Sequence, residues 1–214
     1  MGSIHLIRHG QASFGAADYD QLSDLGYRQS STLGLSWEAS GWFPTAAIAG
    51  GMTRHAQTAI AAIDASGEGD GYDIDAGWDE YDHLALAQAQ DPGVMEADSK
   101  AFQRMLNLGI TAWMAGEPGA GGETYQQFSG RVLASFERVV AQAGRGQRIA
   151  VFTSGGPIAL IASHLLAGDS SLFQRINDVV LNAGVTTVIA GSTGPRLLAF
   201  NEAGHLPHDM LTFR

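Results

Sequence analysis

One recurring order constrains this chain more than any other feature: a short, mainly apolar run, a loop of small residues, then a helix. It occurs three times, with apolar runs at residues 4–7, 46–49 and 149–152. A run of four apolar residues without polar alternation reads as a strand covered on both faces. Strands that alternate with helices predict an α/β fold, a three-layer sandwich whose mostly parallel central sheet carries helices on both faces. Ligands of such folds sit outside the carboxyl ends of the strands. The residues just after the apolar runs are therefore the ones to examine for chemistry.

Local signals fill in the rest. A helix is expected over 23–40, with Ser23 as its N-cap, an apolar face of Leu25, Leu33, Leu35 and Trp37, and Gly41 as its stop. Further helices are expected over 53–64, 102–114, 123–143 and 157–166, and further strands over 72–75, 185–190 and 197–200. The segment 78–122 differs in character. Asp91-Pro92-Gly93 and Gly116-Glu117-Pro118-Gly119 bracket its helical stretch, so it reads as an insertion or lid within a single domain of residues 1–214. At 214 residues the chain is close to the ~150 expected of one domain and can bury a sizeable core.

The loops after the three runs share a chemistry. Arg8 and His9 follow the first, Arg54 follows the second at a helix start, and Ser154, Gly155 and Gly156 follow the third at another helix start. The chain has 12 basic and 22 acidic residues, a formal net charge of −10, so two arginines aimed at one crevice are informative. Guanidinium groups grip phosphate oxygens bidentately, and helix N-termini add N–H donors and partial positive charge. An imidazole amid such groups serves either as nucleophile or as acid/base. Each feature alone also has a plain reading: Arg-His-Gly recurs by chance, Arg54 could pair with Asp64 or Glu68, and 153–156 could be a tight turn. Their joint placement at three strand ends favours a phosphate site.

Composition removes other classes. With no cysteine, disulfides, thiolate catalysis and Cys metal sites are excluded. The acidic surface disfavours nucleic acid and anionic membranes. Neither a signal peptide nor an apolar run of the ~20 residues that span a bilayer is present, so a cytoplasmic protein is expected. The sequence sets no oligomeric state, and a homodimer stays open.

The residues, taken in order, resemble the histidine phosphatase superfamily, the phosphoglycerate mutase-like group. The matching segments are Leu6-Ile7-Arg8-His9-Gly10-Gln11, Leu22 to Gln29, Met52 to Ala59, Trp78-Asp79-Glu80-Tyr81, Gly121-Gly122-Glu123-Thr124, Val151 to Ile158 and His205-Leu206. The resemblance implies that His9 is the phosphorylated nucleophile, that Arg8 and Arg54 hold the phosphoryl oxygens, and that Glu80 is general acid and then base. It implies a metal-independent phosphatase of small phosphomonoesters, working through a phosphohistidine with no cofactor. Ser154 and Gly155 would lie against the phosphate, with Gln11 and His83 as further candidates.

Two positions depart from the pattern. Ser154 stands where the family carries its second His, and Gly50 where a Ser often opens the Arg54 segment. Loss of one preorganised donor costs roughly 3–4 kcal/mol in the transition state. The alternatives are therefore a catalytically weak protein that binds phosphorylated ligands and, behind it, a phosphoglycerate mutase. His83 is the candidate to fill the vacancy, whereas His5, His55 and His164 read as structural. With room beside its two glycines, Ser154→His is expected to raise kcat.

Overall fold

The computed structural model describes residues 1–13, 20–94, 98–116 and 122–213. Six strands form one sheet: β1 (Gly2–Arg8), β2 (Ala46–Ala49), β3 (Asp73–Ile74), β4 (Arg148–Thr153), β5 (Val185–Gly191) and β6 (Gly194–Glu202), in the order β3-β2-β4-β1-β5-β6. The pairs β3–β2, β2–β4 and β4–β1 are parallel, while β5 is antiparallel to both β1 and β6. The expected α/β architecture with a mostly parallel sheet is what the chain adopts.

Burial explains why the strands read as mainly apolar runs. In β4, Ile149 and Val151 belong to one buried cluster and Ala150 and Phe152 to the other, one on each face of the sheet. Helices α1 (Asp24–Ser40) and α2 (Thr53–Ser66) cover the second face through Leu33, Trp37, Ala59, Ala62 and Ile63. The first face is covered by α3 (His83–Gln90), α4 (Ser99–Met114), α5 (Tyr125–Gln142), α6 (Gly155–Ala167) and α7 (Phe173–Asn177). His5 lies in β1, and its ring stacks on that of Trp42 with centroids 4.0 Å apart.

Helix ends follow their caps. Ser23 accepts from the Gly26 N–H, and Gly41 closes α1 at φ 65°. Thr124 and Gln127 form a capping box that starts α5 two residues later than expected. Three more boundaries move: α2 runs on to Ser66, α4 starts at Ser99 behind the Asp98 cap, and α6 starts at Gly155. The short helices α3 and α7 were not expected. Segment 78–122 shares the main core, since Trp78, Tyr81, Leu86, Leu106, Ile110 and Trp113 all pack in the first-face cluster. Of its loops, Glu117, Pro118, Gly119 and the Gly121 of the Gly-Gly-Glu-Thr element lie outside the described residues. Among the described residues no helix is long and apolar enough to cross a membrane.

Candidate active site

A cavity of about 380 Å³ opens at the carboxyl ends of β1 and β4. Arg8, His9, Arg54, Glu80, His83 and Gly155 all line it. Six of the eight residues singled out in the sequence thus converge on one cavity, delivered by four separate chain segments at strand ends and helix starts.

The hydrogen bonds of His9 set its tautomer. Its Nδ1 lies 2.7 Å from the carbonyl oxygen of Gly10, which can only accept, so Nδ1 carries the proton. The lone pair is then on Nε2, where the Nε of Arg54 donates to it across 3.2 Å. Burial lowers the His9 pKa well below 6.5, and Arg54, Arg8 and His55 lower it further. An uncharged imidazole with an unprotonated Nε2 beside guanidinium groups is suited to attack on phosphorus. The His9 main chain is held too, with its N–H donating to Thr153 and its carbonyl accepting from Asn182.

Arg54 is only 4% exposed. Its partner is Asp20, whose Oδ1 accepts from the guanidinium at 2.7 Å while Oδ2 accepts from the Thr53 N–H. Arg8 donates to the carbonyls of Val180 and Phe213, which ties the C-terminal stretch to the rim of the cavity.

Glu80 accepts from the Gly156 N–H at Oε2 and from the Tyr81 N–H at Oε1. Burial raises its pKa above 4.5, partly offset by those bonds and by the two arginines. Such a carboxyl can hold a proton nearer to neutral pH than an exposed one. The loop that carries it is fixed by Arg131, whose guanidinium donates to the carbonyls of Gly77, Asp79 and Glu80 and pairs with Glu123 at 2.6 Å. The Glu123 of the Gly-Gly-Glu-Thr element, through Arg131, therefore clamps the loop that carries Glu80. Arg131 is a residue that the sequence did not signal.

His83 begins α3 and faces the cavity; burial and Arg54 push its pKa down to about 4, so it is neutral at pH 7. Two of the eight residues are placed elsewhere. Gln11 turns its side chain to the Ser23 hydroxyl, an interaction that steadies the loop after β1. The Ser154 hydroxyl is wholly buried and does not face the cavity; it bonds Nε2 of His55 at 2.7 Å. Ser154 is expected from the sequence to face the phosphate site; its loop reaches the cavity through Gly155, but its side chain is bonded to α2 instead. Nor is there spare room at 154, because the His55 ring occupies it.

The sequence model of the Histidine phosphatase superfamily (branch 1) matches residues 4–203, nearly the whole chain. The chain belongs to the histidine phosphatase superfamily. Solved structures of similar fold include a phosphoserine phosphatase from Entamoeba histolytica, with TM-score 0.68 and 18% identity, covering 97% of this chain and 100% of that one. A phosphoglycerate mutase from Bacillus anthracis gives TM-score 0.69 and 15% identity over 95% of this chain and 94% of its own. A mycobacterial glucosyl-3-phosphoglycerate phosphatase gives 0.66 and 20% over 94% and 99%. None of the curated proteins matches by sequence. At these identities the likeness shows the phosphoglycerate mutase-like fold. The Arg8-His9-Gly10 segment lies within the range matched to the histidine phosphatase superfamily.

Proposed function

We propose that this histidine phosphatase superfamily member hydrolyses a small phosphomonoester without metal, through a phosphohistidine on His9. The observation that carries the reading is the His9 tautomer: Nδ1–H is committed to Gly10, so Nε2 is unprotonated, and its lone pair, which accepts from Arg54 Nε, is released for attack when that guanidinium turns to the phosphoryl oxygens. Nε2 attacks phosphorus, the P–O bond to the leaving group breaks, and protonated Glu80 gives that oxygen its proton. Ionised Glu80 then takes a proton from water, the water oxygen attacks phosphorus, and the P–N bond breaks. Inorganic phosphate leaves with His9 neutral and Glu80 protonated again. Arg8, Arg54 and the N-terminus of α6 at Gly155 supply the positive charge that the equatorial oxygens need.

Phosphatases and a mutase of known structure share this fold, which supports a phosphoryl-transfer enzyme. A second reading, binding of phosphorylated ligands with little turnover, draws on the serine at 154. A screen of phosphometabolites without added metal, with His9→Ala as the blank, tests the proposal. Turnover by the wild-type protein alone is expected; equal activity of both proteins would reject it, and tight binding without turnover would favour the second reading.

A further inference from the structure

The buried ring of His55 has no part in the scheme above, yet its centroid lies 5.8 Å from that of His9. It sits in the first turn of α2, next to Arg54, with no exposed surface. Its Nε2 bonds the Ser154 hydroxyl at 2.7 Å, while its Nδ1 has no hydrogen-bond partner among the described residues and stands 3.8 Å from Oδ1 of Asp79. Burying a polar ring with one nitrogen unpaired costs free energy, so its retention asks for a reason.

The neighbours are fitted to that ring. Ser154 occupies the N-cap position of α6, where a serine normally caps at a gain of ~1 kcal/mol, but it makes no capping bond and holds His55 instead. A Cβ at Gly50 would lie 2.3 Å from Nδ1 of His55 and 2.8 Å from Oδ1 of Asp79. The ring is therefore compatible with glycine at 50, and at 154 the serine hydroxyl already lies at hydrogen-bond distance from it. These are the two positions at which the chain departs from the family pattern. The two departures and His55 form one packing unit.

We infer that His55 replaces the imidazole missing at position 154, as a positioning residue delivered from α2 rather than α6 and held against the phosphoryl site by Ser154. The inference rests on the phosphatase reading of His9. The pair acts as a unit: the His55–Ser154 bond ties the first turn of α2, which carries Arg54, to the strand-end loop that carries Gly155, and so fixes both against the cavity. The chain then keeps an imidazole near the nucleophile, reached by another route, and a low activity need not follow from Ser154.

The test moves the imidazole back. His55→Ala should lower kcat by ~10²- to 10³-fold, the scale of one preorganised donor, with KM changed only a few-fold. His55→Gln, whose amide nitrogen can reach the place of Nε2, should keep more activity than His55→Ala. The double variant His55→Ala/Ser154→His should recover at least tenfold over His55→Ala, while Ser154→His alone forces two rings into one space and should lose activity. Melting temperatures of all variants separate unfolding from loss of function. Wild-type kcat in His55→Ala, or a folded double variant no better than His55→Ala, overturns the inference. The phosphatase reading fails separately, by absence of wild-type turnover above His9→Ala. In that event orthovanadate binding decides: tenfold weaker binding by His55→Ala than by wild type supports the role of His55, and equal binding refutes it.

Discussion

Gly156→Ala places one methyl group against the proposed general acid. An ideal Cβ at Gly156 would lie 2.1 Å from Oε1 of Glu80 and 2.7 Å from Cε1 of Tyr81. Real Cβ atoms keep about 3 Å or more from such neighbours, so the carboxylate must retreat by about 1 Å or the ring must yield. The ring is the stiffer of the two. Tyr81 is buried among Trp113, Phe128 and Phe173, with centroids 5.1, 5.6 and 6.3 Å away, and its hydroxyl accepts from Asn177. Glu80 is held on that side by two backbone N–H groups and moves first. A misplacement of about 1 Å can cost ~10²-fold in rate. Proton delivery matters for a poor leaving group and little for nitrophenolate. The expected result is a ~10²-fold lower kcat on an alkyl phosphate and a change of only a few-fold on p-nitrophenyl phosphate. Alanine suits a helix better than glycine by ~1 kcal/mol, so the melting temperature should change little. Equal slowing on both substrates, or none, would refute the placement of Glu80 as the proton donor.

Glu80→Gln should show the same leaving-group selectivity. It should also remove the decline of the alkyl-phosphate rate as pH rises through the raised Glu80 pKa, visible in paired pH–rate profiles. Chelation with EDTA should leave activity unchanged, since Arg8 and Arg54 take the charge role of a metal; recovery of a lost activity by a divalent ion would contradict this. Stability should be acid-sensitive. The pKa values of His5, His9, His55, His83 and His205 are lowered from 6.5 in the fold, so the unfolded chain binds more protons just below that value. That stability is fully present above about 6.5 and is lost as pH falls through the folded values. Melting temperatures should therefore drop between pH 7.5 and pH 5, and a flat profile would refute the burial of these rings in neutral form.

The parts legible in the sequence are those whose signal is local. β1, β2 and β4 announce themselves because burial on both faces leaves their centres mainly apolar, with His5 the exception in β1, and Ser23 and Gly41 mark their helix ends in the chain itself. α3 left no such trace: His83-Leu84-Ala85-Leu86 has no helical stripe, and the helix rests on the Asp82 side chain, which accepts from Ala85. Tertiary partners were the hardest to read. The Arg131 bond that clamps the Asp79 carbonyl spans 52 positions and the His55–Ser154 bond spans 99. Residue type placed Ser154 in the right loop, but only packing tells which way a small hydroxyl points. His55 read as structural because nothing near it in the chain says that its ring ends beside His9.

The central claim is a phosphoryl group on His9, and trapping it tests that claim most directly. Wild-type protein mixed with a good substrate and quenched in alkali, where phosphohistidine survives, should carry one phosphate on the peptide that contains Arg8-His9-Gly10. The label should be lost in acid and should be absent from His9→Ala. In Glu80→Gln it should accumulate with p-nitrophenyl phosphate, because the activation of water is impaired. Turnover with no phosphate on that peptide, or label that persists in His9→Ala, would contradict the account.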